Sequence, residues 1–165
     1  MKVLVGGFRG KTNPSKLIID KITCKHTLEK LYLVNSFEVS KKQLEGLLQK
    51  QSYDWILIFG QKPEVKSIYL EQQACINGHK LTAGHNYAGL EKLLNYSGFT
   101  VKLSNNAGNY LCNHIFYIGL KHIEDNNLNT RMIFIHIPGI KNIENIDGLA
   151  HVFSTYIDEL TPANI

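Results

Sequence analysis

A chain of 165 residues, 44% hydrophobic and 19% charged, has a globular composition and enough length to bury one sizeable core, so a single domain over residues 1–165 is expected. The formal charge of +4 is spread along the chain, with no run of five or more basic residues, which argues against a nucleic-acid partner. Three cysteines lack disulfide or CxxC spacing, seven histidines form no His-x-x-x-His pattern, and no apolar run suits a signal peptide or a bilayer span; a soluble, cytoplasmic protein without metal, cofactor or membrane partner is expected.

The apolar rhythm alternates between strand and helix. Lys2–Val5 is a short β-rich run stopped by Gly6 and Gly7, and Asn13-Pro14-Ser15 opens a helix carrying Leu17, Ile18 and Ile22. Leu31–Val34 reads as a strand, and Val39–Gln51 as a helix with Ser40 as N-cap and Leu44, Leu47 and Leu48 facing inward. Trp55–Phe59 is a near-continuous apolar run ended by Gly60, the pattern of a strand covered on both faces. A less regular region follows, then a helix over Ala83–Gly98 closed by its glycine, and a strand at Phe99–Leu103. A turn-rich segment leads into a helix over Tyr110–Ile123; Met132–Ile137 is a buried-type strand, and Ile143–Leu160 an amphipathic helix. The alternation predicts an α/β fold, a mostly parallel, twisted sheet layered between helices as a three-layer α/β/α sandwich. In such sheets ligands gather where strand ends meet helix starts, which selects the positions after Phe59, after Leu103 and around His136.

Cys112 stands at the start of a helix, where unpaired N–H groups and the dipole favour a thiolate and can receive an oxyanion. Gly108 allows a tight turn just before it. A lone cysteine is more often a small buried hydrophobe, and the local pattern leaves both readings open. A nucleophilic thiol needs a base: His114, two residues along the same helix, points to another face, whereas His136 ends an apolar strand where a polar side chain needs a reason. For an orienting carboxylate, Glu64 and Glu71 both follow the Trp55–Phe59 strand, and the pattern does not choose between them.

Four ordered segments carry a resemblance. AGNYLCNHIFY (Ala107–Tyr117), FIHIP (Phe134–Pro138), Gly60-Gln61 with LEQQACIN (Leu70–Asn77), and VGGFRGKTNPS (Val5–Ser15) resemble the cysteine, histidine, glutamate and N-terminal loop motifs of the pyroglutamyl peptidase I (pyrrolidone-carboxylate peptidase) family. The resemblance implies a thiol peptidase that removes N-terminal pyroglutamate from peptides without a cofactor. Cys112 matches the nucleophile, His136 the base and Glu71 the residue orienting the imidazole. Phe8, Asn13, Gln61, Tyr110 and Leu111 match substrate-binding positions. The implied partners are a pyroglutamyl peptide and, because family members commonly self-associate, further copies of the chain.

The chain also departs from the family pattern. The Pro-Phe-Gly-Gly segment of the N-terminal loop is missing, Lys62-Pro63-Glu64-Val65 replaces an Ala-Gly-Gly-Arg, and only Gly78–Thr82 separates Asn77 from the next helix, so an arginine near the family's site has no counterpart. The attacking groups remain, while the walls that clamp a small ring are cut back. The alternative reading is therefore a shortened relative that binds a peptide terminus or a partner without catalysis, or that accepts a different acyl group.

Overall fold

A computed structural model describes residues 1–162. In chain order the elements are β1 (Lys2–Phe8), α1 (Pro14–Lys21), β2 (Thr27–Leu33), α2 (Phe37–Leu48), β3 (Trp55–Lys62), β4 (Ile68–Glu71), β5 (Gln73–Ile76), β6 (His79–Thr82), α3 (Ala88–Tyr96), β7 (Val101–Ser104), α4 (Leu111–Asp125), β8 (Arg131–Pro138) and α5 (Ile146–Glu159). Six strands form one sheet in the order β2-β1-β3-β8-β4-β7. All neighbours run parallel except β4 and β8, which are antiparallel.

Helices cover both faces, because the central strands are apolar on both. Trp55, Leu57, Phe59, Ile133, Ile135 and Ile137 face a core shared with α1, α3 and α5. Their alternate neighbours Ile56, Ile58, Met132 and Phe134 face a second core shared with α2 and α4. The mostly parallel sheet between two helical layers is the expected α/β/α architecture.

Several local readings need correction; β1, for one, runs through Gly6 and Gly7 to Phe8 instead of stopping at them. The N-cap of α2 is Ser36, whose side chain accepts from the Val39 N–H at 3.4 Å, and Ser40 lies buried one turn later with its hydroxyl donating to the Ser36 carbonyl at 2.6 Å. Either serine suits a cap by type, and only packing of the extra turn separates them. The region after Phe59 holds β4 and the β5–β6 hairpin, whose turn is Asn77-Gly78, both in the left-handed region (φ 51° and 79°). That Asn-Gly pair is a hairpin signal, but its flanking strands are short and too polar to alternate clearly. The third helix begins at Ala88, five residues later than expected. His85 and Tyr87 pack instead as side chains of an irregular segment, with the His85 ring 4.9 Å from Trp55 and 5.1 Å from Tyr87.

Candidate active site

The segment between β7 and α4 bends through its own short polar side chains. The Ser104 hydroxyl accepts from the Asn106 N–H at 3.1 Å, and the Asn106 side chain accepts from the Gly108 N–H at 3.0 Å. Gly108 has a φ of 85°, a conformation that costs a residue with a Cβ about 1–2 kcal/mol. The chain then enters α4 with Cys112 in its first turn, and no side chain caps the helix start. The first-turn N–H groups thus have no capping side chain as partner.

His136 and Glu71 come together through the one antiparallel pairing of the sheet. Tyr69 lies opposite His136 and Glu71 opposite Phe134, so Glu71 and His136 are diagonal neighbours on one face. The His136 Nδ1–H donates to Glu71 Oε1 over 2.7 Å, with the two residues 5% and 0% exposed. That bond selects the tautomer and leaves Nε2 free. The second carboxylate oxygen, Oε2, is buried without a hydrogen-bond partner, while the Tyr87 hydroxyl donates to the Glu71 main-chain carbonyl at 2.8 Å.

Gly60 joins this pair to the cysteine. It lies directly opposite His136 in the β3–β8 register. A Cβ built on Gly60 would fall 2.6 Å from Cys112 Sγ and 2.9 Å from the Phe134 ring. The sulfur therefore rests on bare backbone one strand from His136. Composition and periodicity mark Gly60 only as the residue ending an apolar run. Its role as a floor for the thiol depends on packing between β3 and α4, elements distant in sequence.

Local electrostatics overturn one expectation. Burial pushes the Cys112 thiol up to about 12, the negative charge of Glu71 adds to the rise, and the residue's own backbone N–H opposes it. A helix N-terminus was expected to favour the thiolate, but here desolvation outweighs it. Ionisation of this thiol therefore requires a local proton acceptor.

The matched binding positions are distributed unevenly. Phe8 is buried at the end of β1, in the same core as Ala107, with Leu111 and Cys112 packed against it. Gln61 follows Gly60, is half-buried, and its side-chain amide makes no hydrogen bond among the described residues. Tyr110 is 79% exposed beside the helix start. Asn13 has a local structural task, since its side chain caps α1 by accepting from the Ser15 N–H at 2.9 Å. Glu64 lies in the exposed turn after β3, so the two carboxylates that the pattern left open are separated by burial. Among the described residues no helix is long and apolar enough to cross a membrane, and no cluster of three or more His, Cys, Asp or Glu forms that could hold a metal ion.

Comparison with known proteins places this geometry in context. A family model for pyroglutamyl peptidase matches residues 88–158. The pyrrolidone-carboxylate peptidase of Thermosipho melanesiensis is 32% identical over 169 residues, covering 84% of this chain and 83% of the relative. That of Staphylococcus aureus is 27% identical over 190 residues, covering 97% and 88%. Among solved structures, the pyrrolidone carboxyl peptidase of Thermus thermophilus superposes with a TM-score of 0.80 at 20% identity, over 96% of this chain and all of the other. Pyroglutamyl peptidase I of Bacillus amyloliquefaciens gives 0.77 at 20% identity, over 93% and 95%. The structural likeness establishes the shared fold, and the relative from Thermosipho establishes the lineage: the chain belongs to the pyroglutamyl peptidase family.

Proposed function

We propose that the chain is a cysteine peptidase that releases N-terminal pyroglutamate from peptides, with Cys112 as nucleophile, His136 as general base and acid, and Glu71 as the residue that orients the imidazole. The observation that carries this reading is the buried 2.7 Å His136–Glu71 bond, set one strand from the glycine on which the Cys112 sulfur rests.

His136 Nε2 takes the thiol proton as sulfur attacks the acyl carbon that links pyroglutamate to the next residue. Glu71 holds the imidazole in register and balances the imidazolium that forms. The developing oxyanion is received by the uncapped first-turn N–H groups of α4. His136 then delivers its proton to the leaving amine, and the resulting thioester is hydrolysed by a water deprotonated by the same imidazole. The raised thiol fits this sequence, because proton transfer to a neighbour inside the site replaces loss of the proton to solvent. Phe8 and Leu111 offer an apolar side to the lactam ring, and the unpaired Gln61 amide offers both a donor and an acceptor to its polar edge.

The test is release of a fluorescent amine from a pyroglutamyl amide by reduced protein. Turnover is expected, and both Cys112→Ala and His136→Ala should abolish it. Absence of turnover between pH 6 and 9, in protein that melts cooperatively, would sink the assignment and favour a relative that binds without catalysis.

A further inference from the structure

The residues just beyond Glu71 make contacts that sheet formation does not require. The Gln72 N–H, donating to the Ser104 carbonyl at 2.7 Å, closes the β4–β7 ladder, and beyond it the Gln73 side-chain amide donates to the Asn105 carbonyl at 2.8 Å. Two residues further on, the Cys75 N–H donates to Asn113 Oδ1 at 2.9 Å, and Asn113 Nδ2 donates to the Cys75 carbonyl at 2.8 Å. Asn113 is 6% exposed and directly follows Cys112, and between the contacts Ala74 is wholly buried in the core that also receives Phe8 and Phe134.

The arrangement is a brace. One stretch of chain, leaving directly from Glu71, is bonded to both flanks of the segment that carries Cys112. The Asn113 amide satisfies both main-chain groups of Cys75, as a neighbouring strand would. Such a double bond fixes both distance and rotation. The sheet itself holds Glu71 against His136, because β4 lies between β8 and β7. It does not hold the first turn of α4, where no side-chain cap exists.

We propose that Asn113 is a positioning residue which, with Gln73, locks the Cys112 turn onto the strand leaving Glu71 and so sets the alignment of the thiol with His136. This rests on the triad reading above, extending it to a residue that touches neither substrate nor imidazole. A role confined to fold stability would lower the melting temperature and leave the folded enzyme's chemistry unchanged. A positioning role alters the chemistry itself.

The experiment compares the parent with Asn113→Ala and Gln73→Ala at temperatures well below their melts. Two readouts are taken: kcat and KM on the pyroglutamyl amide, and the pH dependence of Cys112 alkylation by iodoacetamide, followed by peptide mass spectrometry. For Asn113→Ala the expected result is a fall in kcat of about 10–100-fold with KM within about threefold, the signature of misalignment by a fraction of an ångström to an ångström. The acid limb of its alkylation profile should also move to higher pH, since the thiol loses its aligned proton acceptor. Gln73→Ala, which removes one bond from a more exposed side chain, should move both readouts the same way by a smaller factor; it decides the question if Asn113→Ala does not fold. A folded Asn113→Ala with parental kcat and parental alkylation profile would overturn the proposal, as would a Gln73→Ala that leaves both unchanged when Asn113→Ala cannot be obtained. If the parent itself fails to turn over while the alkylation profiles still separate, the brace stands and the peptidase assignment falls.

Discussion

Replacing Gly60 by alanine perturbs the proposed thiol site with one added carbon. That Cβ would lie 2.6 Å from Cys112 Sγ and 2.9 Å from two carbons of the Phe134 ring. Ordinary contact between such atoms is about 3.5–4.0 Å, so something must move by about 1 Å. Phe134 has nowhere to go: it is wholly buried, with Phe116 at 5.5 Å and His136 at 5.1 Å between ring centroids. The sulfur, at the partly exposed start of α4, is the group that yields. An ångström of misplacement at a reacting atom costs about 100-fold in rate, which is the expected fall in kcat. Overpacking of this kind destabilises by about 1–3 kcal/mol, or about 2–12 °C in melting temperature for a domain of this size. Steady-state turnover of the pyroglutamyl amide, beside a thermal melt by circular dichroism, reads both quantities. A Gly60→Ala protein that is folded and turns over within threefold of the parent would refute the claim that sulfur position at this floor controls the chemistry.

Two further expectations concern stability. The half-buried His85 is held down to about 4, first by burial and then by the positive charge of Arg131. Its folded value lies below the unfolded value of about 6.5, so its neutral form stabilises the fold above that pH, and this contribution is lost as pH falls from about 6.5 to 4. After allowance for solvent screening the loss is about 1–2 kcal/mol, measurable as a smaller urea-unfolding difference between pH 7.5 and 5 in His85→Gln than in the parent; equal differences would count against it. At the hairpin turn, Gly78 has a φ of 79° and open space around its Cβ position, so Gly78→Ala should cost about 1–2 kcal/mol through backbone strain alone. Denaturant unfolding with an unchanged free energy would contradict that.

Much of the architecture was legible because the central strands are buried on both faces. Runs such as Trp55–Phe59 and Met132–Ile137 are apolar without interruption, and few other structures accommodate them. The short strand carrying Glu71 was not legible by pattern. It has four residues, runs against its neighbour β8, and ends on a charge that resembles any solvated loop carboxylate until its partner is known. Resemblance to the family motifs singled out Glu71, and the fold then brought it to His136. The Cys112 helix was evident from its turn residues and apolar stripe, but the state of the thiol was not, since burial arises from β3 and Phe134 rather than from the helix. The contacts of Asn113 and Gly60 were hidden for a related reason: one looks like a polar helix residue, the other like a strand terminator, and their partners lie at long sequence separations.

The excursion from Gln73 to Thr82 begins and ends at almost the same place, because the Ala83 N–H donates to the Gln72 carbonyl at 2.9 Å. A loop whose feet are pinned together can gain or lose residues at its far end for little free energy, since closure entropy grows only with the logarithm of length. The shortfall against the family's longer pattern falls beyond Asn77, after both Gln73 and Cys75, the residues whose bonds reach the Cys112 segment. Length can therefore change at the Asn77-Gly78 turn without moving the feet, whereas the two strands stay committed to the fold: Ala74 and Leu81 are buried in the core, and His79 Nδ1 lies 2.9 Å from the Tyr117 hydroxyl of α4. For the same reason the Asn77-Gly78 tip is the natural place to graft a peptide tag or a substrate-gripping loop.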